Sequence, residues 1–220
     1  MKRLILMLLL AGFSHFAQAG EPTDPLMASS TVVWAGLDYS RLHIFGDTND
    51  IKVPELFFQD MPQKWNDLFL DERIEGVANS LGKRVLIDIG GVSEGNARIL
   101  TNKDIFKPDM YDALEKTMIT REDIAATISS YKMEHTNGLG LVFMVDSMFY
   151  HHEKAHGSPN SPVAFFIRNA ASVNVVFFDI ATRQIISVSR EVNTVDTGES
   201  YRSFWFGPIK DTDSGLSKYR

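Results

Sequence analysis

The segment SVNVVFFDI (172–180), followed by ATR (181–183) and QIISVSREV (184–192), decides the fold. β-Branched and aromatic residues fill both runs. The polar break between them opens on Asp179, which predicts a hairpin of Asn174–Ile180 with Gln184–Val192. In the first of these strands both alternating sets matter. Val175, Phe177 and Asp179 fall on one face, and Val176, Phe178 and Ile180 on the other. A strand with rings or branched chains on both faces belongs in the middle of a sheet, covered on both sides.

Working outward, Leu139 to Tyr150 (LGLVFMVDSMFY) is the longest apolar strand candidate, with Met144 and Met148 as core filler. A polar loop, HHEKAHGSPNSP (151–162), and a short run VAFFI (163–167) separate it from the hairpin. Upstream, TVVWAG (31–36) reads as a buried strand ended by glycine, YSRLHIFG (39–46) as a second, and Val85 to Ile89 as a third. Pro54 and Pro62 punctuate the chain. Trp65, Leu68, Phe69, Ile74, Val77, Ala78 and Leu81 then recur at helical spacing, with Gly82 where a C-cap glycine stands. Thr120, followed by Glu122 and Asp123, caps a second helix carrying Ile124, Ile128, Tyr131 and His135 on one stripe, stopped by Asn137-Gly138. This order gives an α/β (α+β) fold, a single mixed β-sheet domain over 31–210 with helices packed on it and a C-terminal β-hairpin. Residues 211–220 read as a weakly structured tail.

The N-terminus predicts where the protein works. MKRLILMLLLAGFSHFAQA (1–19) has a basic start at Lys2 and Arg3, an apolar core from Leu4 to Gly12, and the small residues Ala17 and Ala19 before Gly20. That is an export signal cut after Ala19, with 20–30 as a flexible lead-in and a periplasmic or secreted mature protein. The apolar core is well short of the ~20 residues of a bilayer crossing, so no transmembrane segment is expected after cleavage. No cysteine is present, which removes thiol chemistry, disulfides and a lipid-modified N-terminus. Losing Lys2 and Arg3 takes the formal net charge from −6 to −8. Such a balance argues against nucleic acid as a partner. With 44% hydrophobic residues a full core is available.

Several motifs bear on chemistry. His152-Glu153-Lys154-Ala155-His156 spells HExxH, which binds zinc only on a helix that brings both imidazoles to one metal. Here it follows a strand, and Gly157-Ser158-Pro159 ends any helix at once, so an exposed loop is expected. Gly91-Val92-Ser93-Glu94-Gly95 spells GxSxG after a strand. A nucleophile elbow also needs a helix directly behind it, and the following NARIL (96–100) reads as a poor one. Asp38, Asp88, Asp146 and Asp179 lie in or just past strands. Asp88 and Asp146 interrupt apolar runs, and a buried carboxylate needs a partner. Tyr201, Arg202, Phe204 and Trp205 form an aromatic–cationic patch suited to a partner or ligand, or to packing on the domain.

GLGLVF (138–143), FFDIATR (177–183) and Arg202-Ser203-Phe204-Trp205 together resemble a group of uncharacterised exported bacterial proteins, in layout over about 31–210. The resemblance implies no activity and transfers no catalytic residue. In element order the chain is also similar to the periplasmic α/β domain of curli-assembly and penicillin-binding-protein-activator lipoproteins, whose late hairpin resembles Val176 to Gln184. The lipidated cysteine and the glycine after Thr182 are missing, so that similarity implies fold only. The sequence therefore reads as an exported, non-catalytic binding or envelope-assembly domain without cofactor, its partner an envelope protein or small ligand. The alternative is a zinc-dependent hydrolase with His152 and His156 as ligands and Glu153 as catalytic residue.

Overall fold

Strand β6 (Asn169–Asp179) carries Val175 and Phe177 to one face of a sheet and Val176 and Phe178 to the other, and all four are buried. The structure, a computed structural model, describes residues 24–45, 54–99, 106–107, 118–149, 169–195 and 209–220. Seven strands form one mixed sheet: β1 (Thr31–Asp38), β2 (His43–Phe45), β3 (Arg84–Ile87), β4 (Phe106–Lys107), β5 (Leu139–Phe149), β6, and β7 (Ile185–Val195).

β5 is the spine. Along one edge it runs parallel to β1 over residues 139–144 and to β2 over 147–149. Along the other it is antiparallel to β6 over its full length. β3 and β4 extend the sheet in parallel beyond β1 and β2, and β7 completes the antiparallel hairpin. This is the α+β architecture with a C-terminal hairpin that the periodicity predicts, the hairpin longer at both ends than expected.

Two apolar layers follow from the two faces. Over one lie α2 (Pro54–Glu72), α3 (Ile74–Leu81) and a 3-10 helix (Asp211–Tyr219). There Trp34 stacks on Phe69 at 4.9 Å and meets Phe143 edge-on at 4.8 Å. The other face is covered by α5 (Arg121–Ser129), whose Ile124 and Ile128 pack with Val142, Val176 and Phe178. α4 (Gly90–Ile99) leaves β3 directly and contributes Val92 to this second layer and Ile99 to the first.

Five local expectations are corrected. The 65–81 pattern is two helices, broken at Arg73, and Pro62 lies inside α2 rather than outside it. Its carbonyl accepts from Asn66 Nδ2 at 2.9 Å, and the backbone bond that the proline removes belongs to the turn before it. The 120–135 helix stops at Ser129, six residues early, although Tyr131 still packs inward. Its start is as read, with a Thr120–Asp123 capping box. Residues 90–99 are helical despite their glycines. Within the lead-in, Asp24 caps a single turn, α1 (Pro25–Ala28), which buries Leu26. Finally, 211–219 is no loose tail. Leu216 is buried against the first layer, Arg73 binds Asp213 at 2.5 Å, and Tyr219 donates to Ser189 on β7 at 2.7 Å. The sequence predicts no strand at β4, and the 163–167 run lies outside the described residues.

Candidate functional site

β3 ends at Ile87 while β1 continues to Asp38, so the last residues of β1 need other hydrogen-bond partners on that edge. Two buried amides supply them. Leu37 N–H donates to Asn66 Oδ1 at 2.7 Å and its carbonyl accepts from Asn66 and Asn96 at 3.0 and 2.9 Å, while Tyr39 N–H donates to Asn96 Oδ1 at 2.7 Å. The approach is close: a Cβ on Gly36, whose φ is +111°, would lie 2.7 Å from Val92 Cγ2 and 2.8 Å from Asn66 Oδ1. A register shift between Trp34 and Gly36 then turns Leu37 to the first layer and Asp38 to the second.

Asp38 is buried and accepts from the Tyr131 hydroxyl and from Ser40 N–H. Tyr131 reaches it because α4 presents glycine there. A Cβ on Gly91 would sit 2.9 Å from Tyr131 Cβ, and one on Gly95 would sit 3.3 Å from Ser40 Cβ. The two glycines of the GxSxG motif thus serve close packing. The helix a nucleophile elbow requires is present after all, but Ser93 is bonded back to the Ile89 carbonyl at 3.0 Å. Burial first, and then the Asp38 charge, push the Tyr131 phenol well above its ordinary value. It stays protonated and donates.

Asp88, just past β3, is buried and accepts both the backbone N–H of His135 at 2.8 Å and faces its Nδ1 at 3.0 Å. His135, placed by the sequence on a helical stripe, instead lies in the segment before β5 and meets Asp88 at the end of β3. Asp179 holds the hairpin turn, accepting from Thr182 N–H and hydroxyl at 2.7 and 2.8 Å. These bonds keep its carboxyl below the ordinary carboxylate value.

The third buried carboxylate sits in the densest polar group. Asp146 is the extra residue where the β5–β6 register shifts between Val145 and Ser147. Alternation from Val142 and Met144 places Asp146 on the second face, and the bulge turns Ser147 to that face beside it. There the ladder aligns Asp38, Met144, Asn174 and Arg190 in one row across β1, β5, β6 and β7. The neighbouring row sets Ser147 opposite Ser172. Arg190 Nη2 lies 3.2 Å from Asp146 Oδ2 and 3.5 Å from Oδ1, and Arg190 Nε donates to Ser172 Oγ at 2.6 Å. The nearer Asp146 oxygen is off the N–H axis and keeps an unused lone pair. Ser147 Oγ and Asn174 Nδ2 are buried and make no hydrogen bond. This group occupies the carboxyl ends of the parallel strands β1 and β5, where open α/β sheets hold their ligands.

Asp88 and Asp146 were legible in advance as carboxylates interrupting apolar runs. Arg190, Asn174, Ser147 and Tyr131 were not. Their only signal was a polar letter at an inward slot of a strand, or a tyrosine on an apolar stripe. Among the described residues no three His, Asp or Glu side chains converge as metal ligands. His152, Glu153 and His156, like Tyr201, Arg202, Phe204 and Trp205, lie outside the described residues.

No family model and no curated protein matches this chain. Among solved structures it is similar to the hypothetical protein CT253 from Chlamydia trachomatis, at 14% identity and TM-score 0.30, covering 87% of this chain and 92% of that one. It is also similar to lipoprotein GNA1162 from Neisseria meningitidis, at 6% identity and TM-score 0.25, covering 84% and 97%. No helix among the described residues is long and apolar enough to cross a membrane.

Proposed function

We propose that the protein is an exported, non-catalytic binding domain whose ligand site is the polar end of the second sheet face, around Asp146, Ser147, Asn174 and Arg190. One observation carries the reading: Ser147 Oγ and Asn174 Nδ2 are buried without a hydrogen bond beside an ion pair. A folded protein seldom leaves such groups unmet, and each costs about 1–3 kcal/mol if it does. The buried carboxylates Asp38 and Asp88 are occupied structurally, by Tyr131 and His135. The export half of the reading rests on residues 1–19.

The test is hydrogen–deuterium exchange of the mature protein with and without the soluble fraction of the cell envelope. Added protection confined to residues 144–149, 170–176 and 188–193 is the expected result. Protection elsewhere, or none, overturns the assignment.

A further inference from the structure

We propose that Ser147, Asn174 and the Asp146–Arg190 pair form a recognition subsite for a neutral hydroxyl-bearing ligand of the sugar or polyol type. The inference rests on the binding role just proposed and names the chemistry of the same site.

Three buried groups here have unused hydrogen-bonding capacity. Asn174 Nδ2 offers N–H donors, Ser147 offers a hydroxyl, and Asp146 Oδ2 offers an acceptor. Opposite residues on neighbouring strands stand about 4.5–5.5 Å apart at Cβ, which brings Ser147 close to Ser172 and Asn174 close to Arg190. Arg190 binds Ser172 and pairs with Asp146, so all these groups share one sheet face in adjacent rows. Asp146 and Ser147 are fully buried, whereas the Arg190 side chain keeps 25% of its surface, so entry lies past the guanidinium.

The pair is formally neutral, and that selects the ligand. A carboxylate or phosphate would satisfy Asn174 and Ser147 but set a second anion against Asp146. An ammonium would satisfy Asp146 but leave the Asn174 donors unmet beside the Arg190 cation. An apolar group would leave all three unpaired. A hydroxyl accepts from Asn174 or Ser147 and donates to Asp146 at once, and adjacent hydroxyls complete the set.

Calorimetric titration of the mature protein tests this with glucose, N-acetylglucosamine and myo-inositol as neutral probes. Glucosamine and glucuronate serve as charged analogues of one of them. Saturable binding of at least one neutral probe is expected, with the charged analogues about tenfold weaker or more. Ser147→Ala and Asn174→Leu should each weaken the neutral probe about five- to tenfold. Both should leave the urea midpoint unchanged or raised, because neither atom has a protein partner to lose. No saturable binding of any neutral probe, charged analogues binding as well, or variants that bind normally would each overturn the inference. If exchange protection by the envelope fraction persists in that event, the ligand class is wrong and the binding role stands. If that protection is absent too, the binding role falls with it.

Discussion

Gly140 and Phe178 face each other across the β5–β6 ladder, and the ring lies over the glycine. A Cβ on Gly140 would stand 2.6 and 2.7 Å from the ring carbons Cε1 and Cε2, and nearer still to Cζ. The ring is fully buried among Tyr131, Ile128 and Val142 and has nowhere to retreat. Gly140→Ala is therefore an overpacking change that costs about 1–3 kcal/mol, despite the general advantage of alanine over glycine in a strand. Phe178→Ala empties the same volume and costs about 3–5 kcal/mol. Independent sites would sum to about 4–8 kcal/mol. Contact predicts otherwise, because without the ring the new methyl enters space already vacant. The double variant should match Phe178→Ala or exceed it in stability, a coupling of about 1–3 kcal/mol. Urea unfolding of the four proteins by circular dichroism, with constant m-values, measures it. Additive losses, or a neutral Gly140→Ala, would refute the packing described for the second layer.

Three further outcomes follow. Tyr131→Phe leaves Asp38 buried with only the Ser40 N–H, so it should cost about 1.5–3 kcal/mol by the same unfolding assay, the range for hydrogen bonds to charged groups. Burial raises the phenols of Tyr39 and Tyr131 in the folded state, in Tyr131 with help from Asp38. A raised folded-state value means that stability is intact below the unfolded phenol value of about 10 and declines as pH rises beyond it. Absorbance titration at alkaline pH should accordingly leave at least two of the six tyrosines un-ionised until the protein unfolds. Glu153→Gln should change neither the melting temperature nor any activity, since HHEKAH (151–156) has neither cap nor apolar stripe to hold a helix. Stoichiometric zinc after dialysis, lost together with a peptidase activity in that variant, would restore the hydrolase alternative.

The hairpin was legible because a period of two runs unbroken on both of its faces, and central placement follows from that alone. Helix α4 was hidden because Gly90, Gly91 and Gly95 depress helix propensity. Close approach to Tyr131 and Ser40 demands small residues at the last two, and the tertiary requirement wins. The stripe through Tyr131 and His135 overstated α5 for a related reason. Both residues still face the domain, but through a turn that Asp88 anchors rather than through helical backbone. The 211–219 segment is polar almost throughout, and Leu216, Tyr219 and Asp213 hold it to partners remote in sequence. The same distance explains the site. That Asp88 and Asp146 need partners is readable locally. That these are His135 and Arg190, 47 and 44 residues away, is set by strand register and by a bulge at Asp146.

The proposed binding role requires that the Asp146–Arg190 group be held for a ligand and not for stability. Exchange protection measured on Asp146→Leu/Arg190→Met in the presence of the envelope fraction separates the two. Replacing a buried ion pair by apolar residues of similar volume is often neutral or stabilising by about 1–4 kcal/mol. The double variant should therefore keep the parent's basal exchange pattern, with a stability equal to the parent's or up to about 4 kcal/mol above it, and lose the ligand-induced protection of 144–149, 170–176 and 188–193. A variant that exchanges as an unfolded chain, or one that keeps the ligand-induced protection, would contradict the claim.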